Sequence, residues 1–156
     1  MDTDAIISSA LDIYADESTM KNEFDQVLTI TCQNENVQKI LHNLFYDICN
    51  IEFNLWPWIR NMTKYGDFFL KLDIAEGYGV VNVVPLSSYE MQREEGEDPK
   101  DPYKVVFKQD GAGGQYDYQN FEIAHFRLLS DANFLPYGKS MVEPARKTWK
   151  QLTMME

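Results

Sequence analysis

Gly138-Lys139-Ser140 is the stretch whose residue types come closest to chemistry. A phosphate-binding loop of the form G-x-x-x-x-G-K-[ST] wraps backbone N–H groups around phosphate oxygens at the start of a helix, and its lysine adds charge. Here the first glycine is replaced by Asn133, and the interior reads Phe134-Leu135-Pro136-Tyr137. Pro136 removes one amide donor, and no strand followed by an aspartate stands out as a magnesium-binding partner. Nucleotide binding through Lys139 and Ser140 is thus the alternative reading. It expects magnesium ATP to stabilise the fold and Lys139→Ala to abolish that effect. The plainer reading is a helix start, with Ser140 as N-cap and Glu143 closing a capping box. Pro144 disturbs that register by forfeiting a backbone bond, which moves the expected start toward Glu143.

Other reactive groups are scattered. Cys32, His42 and Cys49 lack the paired close spacings of a zinc site, and a fourth ligand would have to be His125 or a carboxylate. His125, beside Glu122 and Arg127, reads as a satisfied polar cluster on a strand rather than a catalytic base. Glu94, Glu95, Glu97, Asp98 and Asp101 lack the order of a calcium loop and read as a solvated acidic stretch. The glycine-rich run from Gln109 to Gln115 is a hairpin tip, too far from any helix start to cradle phosphate. No G-x-S-x-G, H-E-x-x-H or C-x-x-C occurs. No catalytic, cofactor-binding or metal-binding residue is assigned, and no cofactor is expected.

The 156 residues suit one domain that buries roughly two-thirds of its unfolded surface. With 44% hydrophobic and 13% aromatic residues, a packed core is expected. A net charge of -11 argues against a surface that grips phosphates. Two cysteines without a basic leader ahead of them fit free thiols in a reducing cytoplasm. No apolar run approaches a membrane span.

Residues of these types are positioned by alternating helical and extended segments. Asp4 caps a first helix with Ile6, Ala10 and Tyr14 on one stripe. Val27 to Cys32 alternates like a half-buried strand. Asn34 or Asn36 then caps a helix whose stripe is Val37, Ile40, Leu41, Leu44 and Ile48, with His42, Phe45, Tyr46 and Cys49 behind. A helix apolar nearly all round is central in a core or covered by something outside the chain. From Asn50 to Gly66 large side chains crowd a further helix, capped by Asn54 so that Pro57 falls in its first turn, and stopped by Gly66. Trp56 and Trp58 read mainly as core, and otherwise as a subunit contact together with Phe45 and Tyr46.

Phe68 to Ile74 and Val80 to Val84 form a β-hairpin around Glu76-Gly77-Tyr78-Gly79, ended by Pro85. Tyr89 to Asp101 shows no periodicity. Tyr103, Val105 and Phe107 form another strand face. In the last strand Ala124, Phe126 and Leu128 oppose Ile123, His125 and Arg127, and Met141, Ala145, Trp149 and Leu152 recur on the closing helix. The expected class is α+β, a mainly antiparallel sheet packed with several helices.

Three long blocks carry a resemblance: LDIYADEST from Leu11, NIEFNLWPWIRNM followed by KYGDFFLKLDI from Asn50, and IAHFRLLSDANFLPYGKSMVEPARKTWKQLTMME from Ile123. In collinear order they resemble the portal proteins of contractile-tailed bacteriophages. The resemblance implies a structural subunit of a dodecameric ring at one capsid vertex, through which double-stranded DNA passes without tight binding. It further implies residence in the virion, with packaging terminase, capsid and neck proteins as partners. The residues match the wing-like body, so the chain is expected to be a single α+β domain or domain fragment. Stem, clip and crown lie outside the matched blocks. The resemblance transfers no functional residue, and Trp56, Trp58, Phe45 and Tyr46 stand as the candidate subunit contacts.

Overall fold

The computed structural model describes residues 4–111, 113–129 and 135–155. Its elements are α1 (Ala5–Ser18), α2 (Glu35–His42) running into a π-helical segment (Asn43–Ile48), and α3 (Ile51–Tyr65). Then come β1 (Asp67–Ala75), β2 (Gly79–Leu86), β3 (Met91–Glu95), β4 (Val105–Gly111), β5 (Gly114–Gln119), β6 (Ile123–Arg127) and α4 (Arg146–Thr153). The class is α+β, with the strands divided into two antiparallel sheets, ordered β2-β1-β6 and β3-β4-β5.

Strand β1 organises the layers. Its side chains alternate, so Phe69 and its even-spaced neighbours face one way and Phe68 and Leu70 the other. Phe69 is buried with Met91, Phe107 and Ile123 between the two sheets. On the opposite face Phe68 meets Trp58 of α3 and Phe126 of β6, with ring centroids 5.9 and 6.4 Å apart. Beyond α3 lies α1, joined by Arg60 Nε donating to Asp12 at 2.5 Å and by Trp56 Nε1 donating to Asp16 at 2.7 Å. The order through the molecule is therefore α1, α3, first sheet, second sheet.

Several elements differ from the sequence expectation, each for a local reason. Asp4 does cap α1, accepting from Ile6 and Ile7 amides at 3.0 and 3.2 Å. The buried stripe is however Leu11 and Ala15, one position on from the expected one, and Ile6 and Tyr14 are exposed. Val27 to Cys32 alternates in burial yet joins neither sheet. Side chains take its backbone groups instead: Glu52 accepts from Val27 N–H at 3.0 Å, Tyr46 donates to the Leu28 carbonyl, and Gln38 donates to the Ile30 carbonyl at 3.1 Å. Asn34 caps α2, but the expected core stripe fails at Val37 and Ile40, and Ile40 is 67% exposed.

Helix α3 starts earlier than expected. Asn50, in the left-handed region, precedes it, and Asn54 instead donates to the Cys49 carbonyl at 2.9 Å. Pro57 consequently lies inside the helix, while Gly66 ends it at φ 89° as expected. Strand β2 continues through Pro85, which sits opposite Leu70. The acidic stretch hides β3, because Met91 is the one apolar residue on its inward parity, which it shares with Arg93 and Glu95, and the other parity is Gln92 and Glu94. Among the described residues no helix is long and apolar enough to cross a membrane.

Candidate assembly surfaces and the Gly-Lys-Ser junction

At the Gly-Lys-Ser junction the amides of Gly138 and Lys139 are already bound by the protein. Gly138 N–H donates to both carboxylate oxygens of Asp67, at 2.9 and 3.1 Å. Lys139 N–H donates to the Leu128 carbonyl at 3.1 Å and Met141 N–H to the Thr63 carbonyl at 3.0 Å. The Ser140 hydroxyl donates to the Lys64 carbonyl at 2.6 Å and accepts from Val142 N–H at 3.3 Å. The expected Ser140–Glu143 capping box does not form. A 3-10 turn over Glu143–Ala145 absorbs Pro144, and α4 begins only at Arg146. A carboxylate thus occupies the position where a loop of this kind holds an anion, and no helix N-terminus is aimed at it. The junction fastens the segment after β6 to the end of α3. It does not cradle phosphate.

Asp67 also organises His125. The His125 Nε2–Asp67 Oδ1 distance is 2.7 Å, and Arg93 Nη1 lies 3.3 Å from His125 Nδ1. Because guanidinium only donates, Nδ1 must accept, so Nε2 carries the proton and donates to Asp67. The imidazole stacks on Phe69 at 4.3 Å, meets Phe107 edge-on at 5.8 Å, and its side chain is 4% exposed. The partners expected from the sequence lie elsewhere. Glu122 accepts from Gln119 N–H at 2.7 Å, and Arg127 donates to the Pro136 carbonyl at 2.5 Å. Buried between the two sheets, His125 joins Asp67 of the first to Arg93 of the second.

The acidic stretch is laced by lysines. Lys108 lies 2.5 Å from Glu94 and 3.9 Å from Glu97, and Lys104 lies 3.4 Å from Asp98. Lys108 holds the Glu94 carboxyl below its usual range and is itself raised by it. The Lys100 amide, and then Lys104, lower Asp98. These groups and Asp117 line a concavity of about 310 Å³ on the outer face of the second sheet. Cys32 and Cys49 are free thiols, and burial pushes the Cys49 thiol up. His42 stacks on Tyr46 at 4.3 Å. Among the described residues no three His, Cys, Asp or Glu side chains converge as a metal site.

The four aromatic candidates divide into two pairs. Phe45 and Trp58 line an apolar cavity of about 190 Å³ with Cys49, Leu55, Phe68 and Phe126. Tyr46 and Trp56 instead spend their polar ends inside the molecule, on Leu28 and Asp16. Larger exposed apolar groups escaped the sequence reading. Phe53 of α3 is 75% exposed, and Phe24, Ile40, Phe121 and Leu152 are exposed as well. The total accessible surface is 11024 Å². A folded monomer of 18.2 kDa shows roughly 8,100 Å², so this chain displays about 2,900 Å² more. The only sequence signal for this was the helix from Val37 onward, apolar on too many sides for one core.

No protein-family model and no curated protein matches the sequence. The fold is similar to that of a chain in the virion of a native gene transfer agent particle, with TM-score 0.59 and 16% identity, over 96% of this chain and 41% of that one. It is also similar to a chain in the neck of an empty gene transfer agent particle computed with C6 symmetry. There the TM-score is 0.61 and the identity 12%, over 98% of this chain and 43% of that one. This chain spans less than half the length of either structure it matches, and what it shares with them along nearly its whole length is the fold.

Proposed function

We propose that this chain is part of a structural, non-catalytic subunit of a phage-like particle, corresponding to the wing-like body of a portal protein. The observation that carries the reading is the fold likeness, over nearly the whole chain, to chains of assembled gene transfer agent particles. The surplus of accessible surface supports it, since part of an assembled subunit retains apolar groups that the rest of the subunit or its neighbours cover. The closed Gly-Lys-Ser junction supports the absence of nucleotide chemistry. In this reading function is geometric. A closed symmetric ring leaves an axial pore, at a head-to-tail junction of the virion, through which duplex DNA passes without being gripped by a chain of net charge -11. Packaging, capsid and neck proteins would dock on the same ring.

The test is electron microscopy of the complete gene product purified from cells. Rings with an axial pore are the expected outcome. A product that remains monomeric at high concentration would leave the chain as a free-standing acidic binding module.

A further inference from the structure

We propose that copies of this chain meet head to tail, the basic face of α4 on one copy seating against the acidic outer face of the second sheet on the next. This rests on the ring reading above and assigns its contact surfaces.

Helix α4 carries Arg146, Lys147 and Lys150 within one turn of each other. Arg146 is 71% exposed and reaches Glu143 at 3.3 Å, and Lys147 and Lys150 have no ion-pair partner among the described residues. On a chain of net charge -11, two neighbouring lysines with no ion pair among the described residues are unusual and must be matched from outside or left to solvent. The helix has no buried residue. Trp149 ties it to α1 through Nε1 donating to Asp4 at 2.9 Å, and Leu152, Met154 and Met155 remain exposed.

The matching surface lies on the far side of the molecule. In β4, Phe107 points into the core, so Val106 and Lys108 point outward, opposite Gln119 and Asp117. That outward face joins Glu94, Glu97, Asp98 and Asp117 around Lys104 and Lys108, four carboxylates against two ammonium groups, in a concave site. Helix α4 is fastened beyond α3, at α1, whereas this face lies beyond the second sheet. Opposite charge on opposite sides is the signature of a heterologous contact, which propagates and closes into a ring when the rotation per step allows. The surplus surface of about 2,900 Å² accommodates two standard contacts, each taking roughly 800 Å² from a subunit.

The experiment is sedimentation equilibrium of the chain and of two variants, Lys147→Glu/Lys150→Glu and Glu97→Lys/Asp117→Lys, alone and in equal mixture. All four positions are exposed, and unchanged thermal melting checks that folding is retained. The wild-type chain is expected to self-associate weakly and less so in high salt. Each variant alone should lose that association by about tenfold or more. The equal mixture should restore it, because every α4 then faces a patch of opposite sign. Variants that associate like the wild type overturn the contact while leaving the ring reading intact, since that reading is tested separately by electron microscopy of the complete product. A wild-type chain that stays monomeric also overturns it. So does capture of duplex DNA through Lys147 and Lys150, which would make nucleic acid the partner of α4.

Discussion

Gly138 and Gly66 meet backbone to backbone. A Cβ built on Gly138 would stand 2.1 Å from the Gly66 oxygen and 2.9 Å from Leu128 N, and these are main-chain atoms that cannot swing aside. Gly138→Ala is therefore expected to destabilise the chain by roughly 1–3 kcal/mol, the range of an overpacked site, read as a lower urea midpoint. A wild-type midpoint would mean that the two backbones do not touch. Asn133 and Pro136 already made the phosphate loop the weaker reading of Gly-Lys-Ser, and the sequence left it open as an alternative. It hid the reason the glycine is there, because the acceptor Asp67 lies 71 positions away. His125 repeats the lesson. Its residue type announced a polar cluster, but its partners Asp67 and Arg93 come from other strands, and no spacing encodes them.

Among the elements, those whose sequence period matched their packing were legible. β1 is buried without a break from Asp67 to Leu70, because α3 covers one face of its sheet there and the second sheet the other. Each parity holds its own aromatic residue, Phe68 and Phe69, and the alternation with Lys71 and Asp73 comes further along. β3 was invisible, since its five residues offer a single apolar side chain, Met91, and both parities carry charge. Val27 to Cys32 had a strand's alternation but side-chain hydrogen-bond partners instead of a neighbouring strand. The cap of α1 was legible and has a measurable consequence. Asp4 is held below its usual carboxyl value by the Ile7 amide first and then by the Trp149 indole. A depressed folded value means that the cap stabilises fully above the unfolded value of 3.8 and loses its effect as pH falls through the lower, folded one. Asp4→Ala is thus expected to lower the melting temperature at pH 6 and to do so less at pH 2. An equal loss at both would show that the ionised carboxylate is not the capping species.

For the whole molecule, surface area converts the assembly argument into a property of the isolated chain. An unfolded chain of this mass exposes about 26,000 Å², so folding to 11024 Å² buries about 58% of it, against about 69% for an ordinary domain of similar length. The denaturant slope scales with the surface released on unfolding. The urea m-value should consequently fall about one-sixth below the expectation for 156 residues. If assembly covers part of the surplus, as proposed, the midpoint of unfolding should also rise with protein concentration. An m-value at the size expectation would mean that Ile40, Phe53, Phe121 and their exposed neighbours close over one another in the free chain. Little apolar surface would then remain for a neighbour to bury, and a ring would have to be held by charge alone.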